Sequence, residues 1–196
     1  MRKVTTWTVS IAAALVALPT GAVQITYLAN LDGASENPPN ASPGTGTARV
    51  TIDDEALTMR VQAVFADLIG TTTASHIHCC TDAPGNAGVA TTTPTFPGFP
   101  LGVTSGSYDR TFDLTFAGSF NSTFVNNNGG TVDSARAALL AGLAAGRAYL
   151  NIHSSFRPGG EIRGFMVRSV PEPGALVLLG LGLLAVAVTL RSRRRG

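Results

Sequence analysis

The sequence predicts a mainly β domain, an antiparallel sandwich or barrel with one short helix, set between two terminal targeting segments. Three observations predict it. Threonine and glycine are abundant, and short β-like runs recur between turn residues. Met59, Val61, Ala63 and Phe65 alternate with Thr58, Arg60, Gln62 and Val64, the period-2 signal of a half-buried strand. About 145 residues lie between the two ends, enough for one core of this kind.

Composition narrows the function. The 196 residues are 44% apolar and 13% charged, too apolar for a disordered chain and too poor in charge for a coiled coil. Six of the 14 basic residues, Arg2, Lys3, Arg191, Arg193, Arg194 and Arg195, sit at the termini. Residues 23–170 carry eight arginines against eleven acids, a net charge of −3. No clustered basic face remains to neutralise phosphates, so nucleic acid is not an expected partner. Lys3 is the only lysine, which removes Schiff-base and Walker-type chemistry.

The elements follow in chain order. Residues 1–22 read as a signal peptide: Arg2-Lys3, an apolar run from Val9 to Leu18, and small residues before a cut after Ala22, or earlier after Ala17. Gln24–Leu31 is the first strand, broken by Asp32-Gly33 and Asn37-Pro38-Pro39-Asn40. Gly46–Asp53 and Leu57–Ala66 form a hairpin turning at Asp53-Asp54-Glu55, and Ala74–Cys80 is a further short strand. Pro84–Gly106, with four prolines and five glycines in 23 residues, is a long irregular loop. Tyr108–Phe120 alternates again, with Phe112, Leu114 and Phe116 on one face. Thr131 to Ser134 cap one helix, Ala135–Ala144, which Gly146 ends. Ala148–Ser154 and Glu161–Arg168 close the domain as a hairpin across Arg157-Pro158-Gly159-Gly160.

Residues 170–196 form a second address. Val170-Pro171-Glu172-Pro173-Gly174 precedes sixteen uncharged residues, Ala175 to Leu190, then Arg191-Ser192-Arg193-Arg194-Arg195. At about 1.5 Å per residue the run reaches about 24 Å, a short transmembrane helix whose arginines stay cytoplasmic. The order Pro171-Glu172-Pro173, apolar span and arginine cluster resembles the PEP-CTERM sorting signal of Gram-negative bacteria. The resemblance implies exosortase as a partner, transient residence in the inner membrane, and an envelope, surface or extracellular destination after processing. An ordinary permanent anchor is the alternative.

Chemistry concentrates in the three histidines. His76 and His78 stand at i and i+2, so a strand points both to one face. His153 lies in Tyr149-Leu150-Asn151-Ile152-His153, where Leu150 and Ile152 face the core and Tyr149, Asn151 and His153 face the other way. Convergence of His76, His78 and His153 would make an open three-ligand site for a divalent transition metal, zinc or copper, with affinity falling below about pH 6.5 as imidazole protonates. Asn151, Glu161 and Arg163 are the candidates for orienting the rings from outside. Hydrogen-bonded histidines acting as a strut satisfy the same pattern. Cys79 and Cys80 are the only cysteines. Three states stay open for them: a vicinal disulfide, two free thiols, or Cys80 joining the histidines as a ligand.

Leu28-Ala29-Asn30-Leu31-Asp32-Gly33-Ala34-Ser35-Glu36-Asn37-Pro38-Pro39, Gly44, Gly46-Thr47-Ala48, Ala74-Ser75-His76-Ile77-His78, Gly85-Asn86-Ala87-Gly88, Tyr149–His153 and Pro158–Gly164 together resemble a CHRD domain. The resemblance spans about residues 25–168 and implies a sandwich of immunoglobulin type, with domain limits of 23–169. Cys79-Cys80 and the long Pro/Gly loop depart from its pattern. The expected function is an exported, non-enzymatic domain that binds a metal or a surface partner such as extracellular polysaccharide. The alternative is a three-histidine metalloenzyme on a β-sandwich; no Ser-His-Asp or paired-carboxylate arrangement stands out.

Overall fold

The computed structural model describes residues 24–169, together with the single position 182. The expected signal peptide and sorting tail, with the apolar run as a transmembrane helix, lie outside the described residues. Among the described residues, no helix is long and apolar enough to cross a membrane.

The strands are β1 (Gln24–Asp32), β2 (Thr45–Asp53), β3 (Thr58–Ala66), β4 (Thr72–Cys79), β5 (Gly106–Asp113), β6 (Ala148–Ser154), β7 (Ile162–Phe165) and β8 (Val167–Ser169). The helices are α1 (Ser122–Asn127) and α2 (Val132–Ala144). The strand order is β4-β6-β7-β1-β2-β3-β5, with β8 also on β1, and every ladder is antiparallel.

Of the sandwich or barrel expected, the two-sheet immunoglobulin-type sandwich does not form: a single sheet curls into a half-barrel. The reason lies in β1. One margin pairs with β2 over its full length, and the other takes Arg163 of β7 opposite Asp32 and β8 opposite Thr26–Leu28. One strand thereby joins both hairpin systems. The long Pro/Gly loop runs along the free edge of β4, where Ala90 N–H donates to Ile77 O (2.9 Å), Phe96 N–H to Ser75 O (3.1 Å) and Thr72 N–H to Val103 O (2.8 Å). It thus satisfies edge groups that would otherwise face solvent or another chain.

The alternation in β3 places Met59, Val61, Ala63 and Phe65 in the core, where Val50, Ile77, Leu150, Ile152 and Ile162 join them. The β2–β3 register runs from Thr45↔Ala66 to Asp53↔Thr58, and Asp53 Oδ1 accepts the N–H groups of Glu55 and Ala56 at the turn. α2 covers one end of the core with Ala135, Leu139 and Leu143. Thr131 and Ser134 form its capping box, and Gly146, at φ +68°, follows its C-terminus.

Three local expectations change. The strand expected over Tyr108–Phe120 stops at Asp113, because Asp113 Oδ1 takes both the N–H and the hydroxyl of Thr115 (2.7 and 2.6 Å) and turns the chain. Phe116 is consequently 64% exposed. A second helix, α1, is present; its six residues are too few to show a 3.6-residue period. The single closing strand divides at Met166, which is buried and sends its N–H to Ala148 O (2.9 Å).

Candidate metal centre

The β4–β6 register builds the site. Ala74 lies opposite His153, His76 opposite Asn151 and His78 opposite Tyr149. These six residues share one face, and Ser75, Ile77, Leu150 and Ile152 share the other. Both faces of β6 are buried, since Tyr149 and Asn151 are each only 2% exposed. Loops cover the histidine face. Gly160 permits one of these approaches: at φ +136°, a Cβ there would stand 2.5 Å from Asn151 Nδ2 and 2.7 Å from Glu36 Oε1.

His76, His78 and His153 do converge. One ligand nitrogen from each ring lies within 4.8 Å of the other two. His76 Nε2 meets Pro94 O at 2.7 Å, His78 Nδ1 meets Ala87 O at 2.9 Å, and His153 Nδ1 meets Pro158 O at 2.8 Å. A carbonyl only accepts, so each of these nitrogens carries the ring hydrogen. In the neutral rings, His76 Nδ1, His78 Nε2 and His153 Nε2 are therefore left with lone pairs. The first and third stand 3.4 Å apart, and His78 Nε2 is buried without a hydrogen-bond partner. Three unprotonated nitrogens this close together could serve as a ligand set, with backbone carbonyls selecting the tautomers.

Protonation of the cluster is disfavoured. Burial pushes His78 down to about 4 against the opposing Ala87 carbonyl, with His153, His76 and Arg163 adding positive charge. Burial likewise lowers His76 and His153. The rings are thus held neutral at pH values where an exposed imidazole takes up a proton.

A stack supports His78. The Tyr149 ring lies parallel to it, with centroids 4.9 Å apart, and the Arg163 guanidinium sits 4.7 Å from the Tyr149 centroid. The Tyr149 hydroxyl accepts from Ala87 N (3.1 Å), beside the carbonyl that takes the His78 proton. Arg163, fully buried, donates to Ser35 O (2.6 Å), Pro84 O (2.7 Å) and Asn86 Oδ1 (2.7 Å), fastening the loop that contains Ala87. Its role is to hold that loop and the stack, and it makes no hydrogen bond to a ring.

The other candidates fall elsewhere. Glu161 is buried, but its carboxylate accepts from Ser42 Oγ, Ser154 Oγ, Ile69 N and Gly70 N, and from no histidine. Asn151 lies beside His76 in the ladder, yet its Oδ1 is unpaired and turned toward Gly160. The sulfurs of Cys79 and Cys80 lie together against α2, where a Cβ on Gly142 would come within 2.6 Å of Cys80 Sγ. Cys80 is not in the histidine cluster, which corrects its reading as a fourth ligand. Sequence reasoning missed the carbonyls of Pro94, Ala87 and Pro158, which have no side-chain signature. It also missed the buried Glu36, whose Oε2 stands 3.7 Å from Arg163 Nε and whose carboxyl burial pushes up to about 7, against the pull of Arg163. Its place within Glu36-Asn37-Pro38-Pro39 was the one available signal.

Fold and cluster together define a small antiparallel β domain built around a buried, neutral three-histidine centre. The CHRD domain family matches residues 27–166, and the chain belongs to that family. The PEP-CTERM protein-sorting motif matches residues 169–195, so the domain is exported and carries a signal for exosortase. No curated protein and no solved structure matches the chain.

Proposed function

We propose that the protein is a non-enzymatic metal-binding module, displayed outside the inner membrane, that holds a transition metal, copper or zinc, on His76, His78 and His153. The observation that carries this reading is the tautomer pattern. Each ring gives its one hydrogen to a backbone carbonyl, which leaves three lone pairs converging in a buried space. As a strut the arrangement would be poor, because lone pairs repel and His78 Nε2 stays unsatisfied. Among the described residues, no carboxylate or hydroxyl hydrogen-bonds a ring to act as an acid or base beside the metal, which favours binding over catalysis. Extracellular polysaccharide is the proposed surface partner.

The test is thermal. Copper or zinc added to chelator-treated full chain at a hundredfold excess over Kd should stabilise it by about 2.7 kcal/mol. For a domain of this size that raises Tm by roughly 5–11 °C. His78→Ala and His153→Ala should both abolish the increment. An unshifted wild type, with both variants destabilised, would assign the cluster to a strut.

A further inference from the structure

Charge around the three nitrogens is one-sided. Their ring hydrogens go to neutral carbonyls, where many zinc sites place a carboxylate that offsets the charge of the metal. Among the described residues, the cation stacked nearest the cluster is the buried Arg163 guanidinium. It lies across the Tyr149 ring from His78, 4.7 Å from a centroid that is itself 4.9 Å from the His78 ring. Glu36, the acid at Arg163, is partly neutralised by its own burial. Glu161 spends its charge on four donors elsewhere.

We infer that this centre selects monovalent copper, Cu(I), over zinc and other divalent ions. The inference rests on the metal-binding reading above and deepens it. A divalent ion on three neutral donors brings two uncompensated charges into a buried space, whereas Cu(I) brings one, and burying an ionic charge is costly unless it is paired. Arg163 adds to the difference. At about 10 Å and an effective dielectric of 20, each further unit of positive charge costs roughly tenfold in affinity. Coordination number points the same way. Three imidazoles complete a trigonal Cu(I) centre, while zinc needs a water or other fourth ligand brought into the buried space as well.

The full chain, freed of metal by chelator, is titrated with Cu(I) under argon against bathocuproine disulfonate, and with zinc against a chromophoric zinc chelator. The expected result is one Cu(I) per chain, with a Kd at least about tenfold below that of zinc. Cu(I) binding should be lost in His153→Ala and kept in the Cys79→Ser/Cys80→Ser double variant. Asn151→Asp puts a near-isosteric carboxylate opposite His76 and should narrow the gap by roughly tenfold, as the missing countercharge is supplied. Should that variant fail to fold, the wild-type ratio decides alone. Zinc binding as tightly as Cu(I), or a gap unmoved in folded Asn151→Asp, overturns the selectivity and leaves the metal site standing. Failure of both metals to bind overturns the site itself. Copper retained in His153→Ala but lost with the cysteines places it on sulfur and overturns both.

Discussion

Glu161→Gln isolates a buried polar junction of the domain from the histidine cluster. Glu161 Oε1 accepts from Ser42 Oγ and Ile69 N, both at 2.6 Å, and Oε2 accepts from Gly70 N at 3.2 Å and from Ser154 Oγ. A glutamine keeps the shape but turns one oxygen into a donor. A serine hydroxyl can rotate to accept from it; a backbone N–H cannot. Whichever oxygen is replaced, Ile69 N–H or Gly70 N–H is stranded, at about 1–3 kcal/mol. The surviving bonds lose their charge assistance, about 1 kcal/mol more. The sum, about 2–4 kcal/mol, lowers Tm by roughly 5–15 °C for a domain of this size. Calorimetry of the metal-free full chain at pH 7 measures it. Burial raises the Glu161 carboxyl pKa, but its four hydrogen bonds outweigh burial and hold it below the usual carboxylate value. Its contribution is therefore present above the unfolded pKa and lost as pH falls through the folded one, so wild type and variant should converge in acid. Metal affinity should be unchanged, since no ring touches this carboxylate. A Tm within about 2 °C of wild type at pH 7, or a weakened metal site with full stability, would refute this assignment.

The buried histidines and Glu36 pull stability in opposite directions with pH. Lowered histidine pKa values make metal-free protein lose stability as pH falls from about 6.5 toward 4, because the unfolded state takes up protons first; Glu36, raised to about 7, loses its contribution as pH climbs from 4.5 toward 7. Removing the second effect with Glu36→Gln should give a Tm that climbs more steeply than wild type between pH 4 and 6.5, and a flat profile there would contradict buried neutral rings. Gly142→Ala forces a methyl against the sulfurs of Cys79 and Cys80 and should cost about 1–3 kcal/mol in chemical denaturation. Iodoacetamide without reductant should label neither cysteine in exported protein; two labels would mean free thiols. Intact mass of protein from the envelope or medium should lack residues 1–22 and the apolar tail, and a mass still including Ala175–Arg195 would mean a permanent anchor.

Local patterns carried most of the element map. Period-2 alternation placed β3 and sorted Leu150 and Ile152 from Tyr149, Asn151 and His153, because successive strand residues point to opposite faces whatever the strand pairs with. The i, i+2 spacing put His76 and His78 together for the same reason. Thr131 and Ser134 announced α2 through bonds that close within four residues. The strand expected beyond Asp113 failed locally too, since an Asp side chain competing for Thr115 looks no different in sequence from one facing water.

The sequence by itself determined a β domain, its C-terminal sorting signal and the face on which each histidine stands, all properties of neighbouring residues. Tertiary structure alone decided that β1 would join the strands into one sheet, because pairing partners far apart in the chain compete on nearly equal terms. It also decided that loops would bury the histidine face, that Glu161 would serve the loops around Ser42 and Ile69 rather than a ring, and that three carbonyls from two loops would fix the tautomers. A carbonyl is present at every residue, so only the folded path of the chain determines which ones meet an imidazole.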